Sequence, residues 1–109
     1  MTLGQQTMGR PILIVDDEPE ILLAVDTTLR MAGLDNIITI SDSRDVIRQM
    51  ERQVPCLVIL DLNMPHINGH RILKMIRKTY PKIPVIILTG AIDVDMAVKC
   101  MKIGAMDYV

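Results

Sequence analysis

The 109 residues contain no tryptophan, no phenylalanine and only two tyrosines. A chain so poor in rings has no platform on which the bases of single-stranded nucleic acid could stack. Its core must come from branched aliphatics and from nine methionines, whose flexible thioethers fill irregular gaps. Cysteine is nearly as scarce. Cys56 opens an apolar, strand-like run and Cys100 lies in a helix-like one, with no CxxC pair, so both are read as reduced core residues. Neither sign of charge dominates, at 12 basic against 13 acidic residues, which argues against disorder and against wholesale attraction to nucleic acid. No stretch approaches the roughly 18 apolar residues that cross a bilayer, and MTLGQQTMGR lacks the apolar centre of a signal peptide. The expectation is a cytoplasmic protein without a membrane contact.

What is present is an alternation. Behind a flexible tail, residues 1–9, the chain from 10 to 109 is long enough for one domain and too short for two. Five apolar runs follow one another: PILIV from Pro11, NIITI from Asn36, CLVIL from Cys56, PVIIL from Pro84, and a last one near Met106. Helical spacing fills the gaps, first through Ile21, Leu22, Val25, Leu29 and Ala32, then Val46, Ile47 and Met50 with Asp42 or Ser43 as start signal. The third helix carries Ile72, Leu73 and Ile76, and the fourth Met96, Cys100 and Ile103. Gly33 and Gly104 stand where helices should stop. Strict alternation with short connections predicts a parallel α/β sheet with right-handed crossovers. By Val109 the fifth strand has barely begun and no helix follows it, so the native chain is expected to be longer, with the sheet truncated in that strand and the last helix lacking.

The stretch LIVDDEPEI poses the functional question. Leu13, Ile14 and Val15 read as a strand buried on both faces, Pro19 suits the first turn of a helix, and three acids occupy the turn between them. One acid can cap the helix, and three exceed that need. In open α/β sheets, sites form beyond the carboxyl ends of strands where the strand order reverses. The first strand ends in Asp16 and Asp17, the third in Asp61 and the fourth in Thr89. If the first and third strands are neighbours, the three acids converge. At about 5 Å such carboxylates repel by about 3 kcal/mol per pair at an effective dielectric of 20. A hard divalent cation removes that cost, and an all-oxygen site open to water and phosphate suits magnesium better than zinc or copper. Asn63 can lend its backbone carbonyl as a further ligand. The matching chemistry is phosphoryl transfer to a carboxylate. Asp61 is the natural acceptor, with Met64-Pro65 as a stiff turn and Gly69 as a flexible position that let the loop curl over the site. Thr89 is placed to hydrogen-bond a phosphoryl oxygen.

With the Asp16-Asp17 pair, Asp61 in DLNMPHINGH, Thr89 in LTGA and the run KIGAMDYV, the chain resembles the receiver domain of bacterial two-component response regulators from about Arg10 to Val109. The resemblance implies a flavodoxin-like, doubly wound sheet of order 2-1-3-4-5. It implies magnesium held by Asp17, Asp61 and the Asn63 carbonyl, with Asp16 acting largely through water, and phosphorylation of Asp61 by a histidine kinase. Thr89 and Tyr108 match the family's switch pair. The family's lysine beyond the position of Tyr108 is not reached, and Lys102 is not its equivalent. The resemblance further implies an output domain outside this chain and a possible homodimer. TGAIDVDMAVKCMKIGAMDYV resembles receivers joined to ATPase modules of enhancer-binding transcription regulators.

Rival readings are weaker. His66 and His70 stand four apart, but Pro65 and Gly69 make the stretch a loop rather than a metal-binding helix. Arg71, Lys74, Arg77 and Lys78 read as a solvated face rather than a DNA surface. A phosphatase of the haloacid dehalogenase type would carry a second aspartate where Asn63 stands. A flavodoxin would need glycine or hydroxyl residues where DDEPE would repel a phosphate. A degenerate receiver used only for docking is disfavoured by the intact acid trio.

Overall fold

The computed structural model describes residues 9–88 and, by backbone alone, residues 107–108. Ile12–Val15 form β1, with all four side chains buried, as an apolar run without alternation requires of a strand covered on both faces. Pro19–Met31 form α1, which the proline opens at its first turn and Gly33 closes with φ 91°. The closure is a Schellman motif: the Gly33 amide donates to the Arg30 carbonyl at 3.0 Å and the Leu34 amide to that of Leu29 at 3.0 Å. Ile37–Ile40 form β2, and a short 3-10 turn, Ser43–Asp45, leads into α2, Val46–Arg52. Leu57–Asp61 form β3, fully buried, followed by α3, Gly69–Thr79, and β4, Val85–Leu88. Asp107–Tyr108 form β5. The fourth predicted helix, with Cys100, Lys102 and Gly104, and the tail through Met8 lie outside the described residues.

All pairings are parallel, in the order β2-β1-β3-β4-β5. Because the strand order reverses between β1 and β3, the first connection runs to one side of the sheet's start and the next to the other. Val15 pairs with both Ile40 and Leu60, which sets the ends of three strands level.

Two apolar layers hold the sheet. On one face Leu13, Val15, Val58, Leu60, Val85 and Ile87 pack with Val46 and Met50 of α2 and Ile72, Leu73 and Ile76 of α3. The other face, with Ile12, Ile14, Leu57 and Ile59, is met by Leu22, Val25 and Leu29 of α1, and half-buried Cys56 packs there with its thiol free. Burial pushes the Cys56 pKa upward and keeps the thiol protonated. The four-residue spacing of the histidines proves to be split between two elements. His66 sits in the β3–α3 loop with φ 69°, whereas His70 is the second residue of α3. The predicted basic face also divides: Arg71, Lys74 and Lys78 are exposed, while Arg77 turns partly inward and donates to the Pro81 carbonyl at 3.1 Å. No helix among the described residues is long and apolar enough to cross a membrane.

Candidate metal centre

Each acid reaches the site because its strand ends there. Asp16 follows β1 directly, its amide donating to the Ile40 carbonyl at 3.1 Å, which continues the β1–β2 ladder by one residue. Its Oδ1 then accepts the Glu18 amide at 2.9 Å, forming a tight turn just before α1. The capping role expected of one acid is therefore not filled: Glu18 is the N-cap residue, and its side chain makes no cap hydrogen bond to the helix amides. Asp61 is the last residue of β3, and its Oδ1 accepts the Asn63 amide at 3.2 Å. Asp17, next to Asp16 in the turn, is more open to solvent than either.

The convergence expected from the strand order is present. One ligand oxygen from each of Asp16, Asp17 and Asp61 lies within 4.8 Å of the others, and this is the one such group of metal-ligating side chains among the described residues. Neither His66 nor His70 belongs to it. Asp16 and Asp61 are only 4% and 8% exposed. Burial is the main reason both pKa values stand above the ordinary carboxylate range, with the neighbouring charges of Asp61 and Asp17 adding for Asp16 and that of Asp17 for Asp61. The Glu18 and Asn63 amides pull in the opposite direction and are outweighed. A cluster of this spacing costs about 3 kcal/mol per ionised pair at an effective dielectric of 20. The donors are hard oxygens, so the site fits a small divalent cation. Among the described residues the Asn63 carbonyl accepts no hydrogen bond, which leaves it available as a ligand.

The loop leading to α3 is shaped by contacts that local sequence patterns did not reveal. Gly69 was expected to lend flexibility. Its φ is not in the left-handed region, and it instead permits a close approach: a Cβ there would lie 2.5 Å from Leu62 Cα and 2.9 Å from the Asp61 carbonyl carbon. The Gly69 amide donates to the Leu62 carbonyl at 3.0 Å, seating the start of α3 against the end of β3. Asn68 caps α3 by accepting the Arg71 amide at 2.9 Å. Ser43, read as a possible helix start, is buried and bonds to this loop, while Asp42 caps its own turn by accepting the Arg44 amide at 2.9 Å. Thr89 lies outside the described residues, and Tyr108 is placed by its backbone, paired with Ile87 in β5.

Fold and site together define a doubly wound α/β domain with an acidic cluster at its switch point. The chain belongs to the response regulator receiver domain family, matched over residues 12–109. Response regulator protein FleR of Pseudomonas aeruginosa is 35% identical over 101 residues, which cover 93% of this chain and 21% of FleR. DNA-binding transcriptional regulator NtrC of Escherichia coli is 33% identical over 97 residues, 89% of this chain and 20% of NtrC. The chain therefore spans about a fifth of the length of these relatives. A response regulator receiver domain protein from Clostridium thermocellum superposes with a TM-score of 0.83 at 37% identity, over 92% of this chain and 80% of that one. A CheY-like receiver domain protein from Methanospirillum hungatei JF-1 gives 0.85 at 25% identity, over 92% and 79%. The resemblance and the flavodoxin-like fold it implied are both borne out.

Proposed function

We propose that Asp61 is the phosphoacceptor of this receiver domain and that Asp16, Asp17, Asp61 and the Asn63 carbonyl hold Mg2+. The carrying observation is the convergence of three carboxylates within 4.8 Å at the ends of adjacent strands, in a chain of this family. When bound, the cation neutralises charge on the acids and on the phosphoryl oxygens. Asp61 has one oxygen held by the Asn63 amide, which orients its carboxylate, and the free oxygen attacks phosphorus. With a phosphohistidine donor the new O–P bond forms as the P–N bond breaks, and the leaving imidazole keeps the electron pair and takes a proton. Asp16 has one oxygen tied to the Glu18 amide, which fixes its carboxylate beside the other two acids.

The donor is a histidine kinase, Thr89 and Tyr108 form the switch, and the response is passed to an output domain. The domain acts in the cytoplasm as a phosphoacceptor and not as an enzyme with a separate substrate. Signalling then follows from a population shift that phosphorylation at Asp61 biases. The test is intact mass after incubation with acetyl phosphate, with and without Mg2+, beside Asp61→Asn. One added phosphoryl group, dependent on Mg2+ and absent from the variant, is the expected result. No gain, or an equal gain in Asp61→Asn, overturns the assignment.

A further inference from the structure

Ser43 and the β3–α3 loop are more than 20 residues apart in sequence, yet one buried hydroxyl joins them. Ser43 Oγ donates to the Pro65 carbonyl at 2.8 Å and accepts the Ile67 amide at 3.0 Å, on a residue only 3% exposed. These two bonds bracket His66, whose φ of 69° is an uncommon conformation for a residue with a side chain and persists only where its surroundings enforce it. Among the described residues, the backbone from Met64 to Ile67 makes no other hydrogen bond.

The same loop carries the one backbone ligand assigned to the cation. Its first residues are fixed by the Asn63 amide on Asp61, and its end by the Gly69 amide on the Leu62 carbonyl. Between those points, Met64 in the core, Ile67 packed against it and the Ser43 hydroxyl determine where the chain runs, and of these only Ser43 holds the loop by hydrogen bonds among the described residues. Ser43 itself is held in place by the turn that Asp42 caps.

We propose that Ser43 is a positioning residue for the metal site: its hydroxyl fixes the loop that presents the Asn63 carbonyl, and so sets cation affinity without touching the cation. The inference rests on the metal assignment above. Coupling between two events is reciprocal, so if the Ser43 bonds favour Mg2+, then Mg2+ favours the Ser43 bonds. Two readouts follow, one of them in the unaltered protein.

In Ser43→Ala, calorimetric Mg2+ affinity falls about tenfold, the lower end of what partners behind a metal ligand contribute. At saturating Mg2+ the phosphorylation rate with acetyl phosphate returns to that of wild type, a split that general loss of stability does not produce. In wild type, saturating Mg2+ slows hydrogen exchange of the Ile67 amide. Wild-type Mg2+ affinity retained in Ser43→Ala overturns the proposal. Should that variant fail to fold, unchanged Ile67 exchange in wild type overturns it equally. A wild-type protein that binds no Mg2+ removes the metal assignment itself, and the positioning role with it, which separates the two failures.

Discussion

At the scale of single residues, Asp61 works against the fold that contains it. Its carboxylate is buried beside two others, so the ion-free domain keeps like charges close, and removing one relieves the repulsion. Asp61→Asn is expected to raise stability without Mg2+ by about 1–2 kcal/mol, read by urea unfolding in a chelator, while abolishing phosphoryl uptake. Gly69 shows the opposite economy, being fixed by space alone. Gly69→Ala drives a methyl into the backbone of Asp61 and Leu62 and is expected to cost about 2–3 kcal/mol in the same unfolding measurement. The acids were legible in the sequence because Asp16 and Asp61 directly follow apolar runs and Asp17 stands beside Asp16, and strand order does the rest. The Ser43 bonds and the Gly69 approach were not, since a serine before a helix reads as a cap and a glycine in a loop reads as freedom. Nothing local identifies a partner more than 20 residues away.

At the scale of elements, four apolar runs became the strands β1 to β4 within a residue of their expected bounds, and β1 and β3, buried along their whole length, carry no polar alternation to blur their ends. Helix ends were less legible. The stop at Gly33 was visible because the Schellman geometry needs a left-handed residue, and only glycine adopts it without strain. Gly33→Ala is expected to lower stability by about 1 kcal/mol, checked by thermal unfolding, with Gly33→Asn recovering part of the loss. The start of α1 was legible in Pro19, but the expected acid cap was not met, because Asp16 spends its oxygen on the Glu18 amide and not on the helix. The basic pattern on α3 hid Arg77, which the stretch RILKMIRK cannot separate from its exposed neighbours.

At the scale of the whole molecule, stability, proton binding and cation binding are one linked system. Folding raises the proton affinity of Asp16 and Asp61, so between the unfolded and the raised folded pKa values the native state holds more protons than the unfolded one. The contribution of this pair is therefore present at low pH and lost as pH rises through the folded values. Chemical unfolding without metal should show this pair favouring the fold increasingly as the solution is acidified toward the ordinary carboxylate range. Mg2+ acts in the opposite sense. It binds the native state alone, because the acids converge only when β1 and β3 are paired, and at a hundred times its Kd it adds about 2.7 kcal/mol. The expected thermal shift is reversed by chelator, shrinks at acid pH and vanishes in Asp61→Asn. Finally, among the described residues the buried core has no aromatic ring and is built of Ile, Leu and Val with only Met50 and Met64 as thioethers, and those sulfurs are open to a different chemistry. Among the described methionines Met31, 84% exposed on α1, meets an oxidant first and loses little by becoming a sulfoxide. Met64, 8% exposed and next to Asn63 in the same loop, would place a new polar group in the apolar layer there, so mild peroxide treatment is expected to lower Mg2+ affinity before it unfolds the sheet, checked by calorimetry and circular dichroism on the oxidised protein.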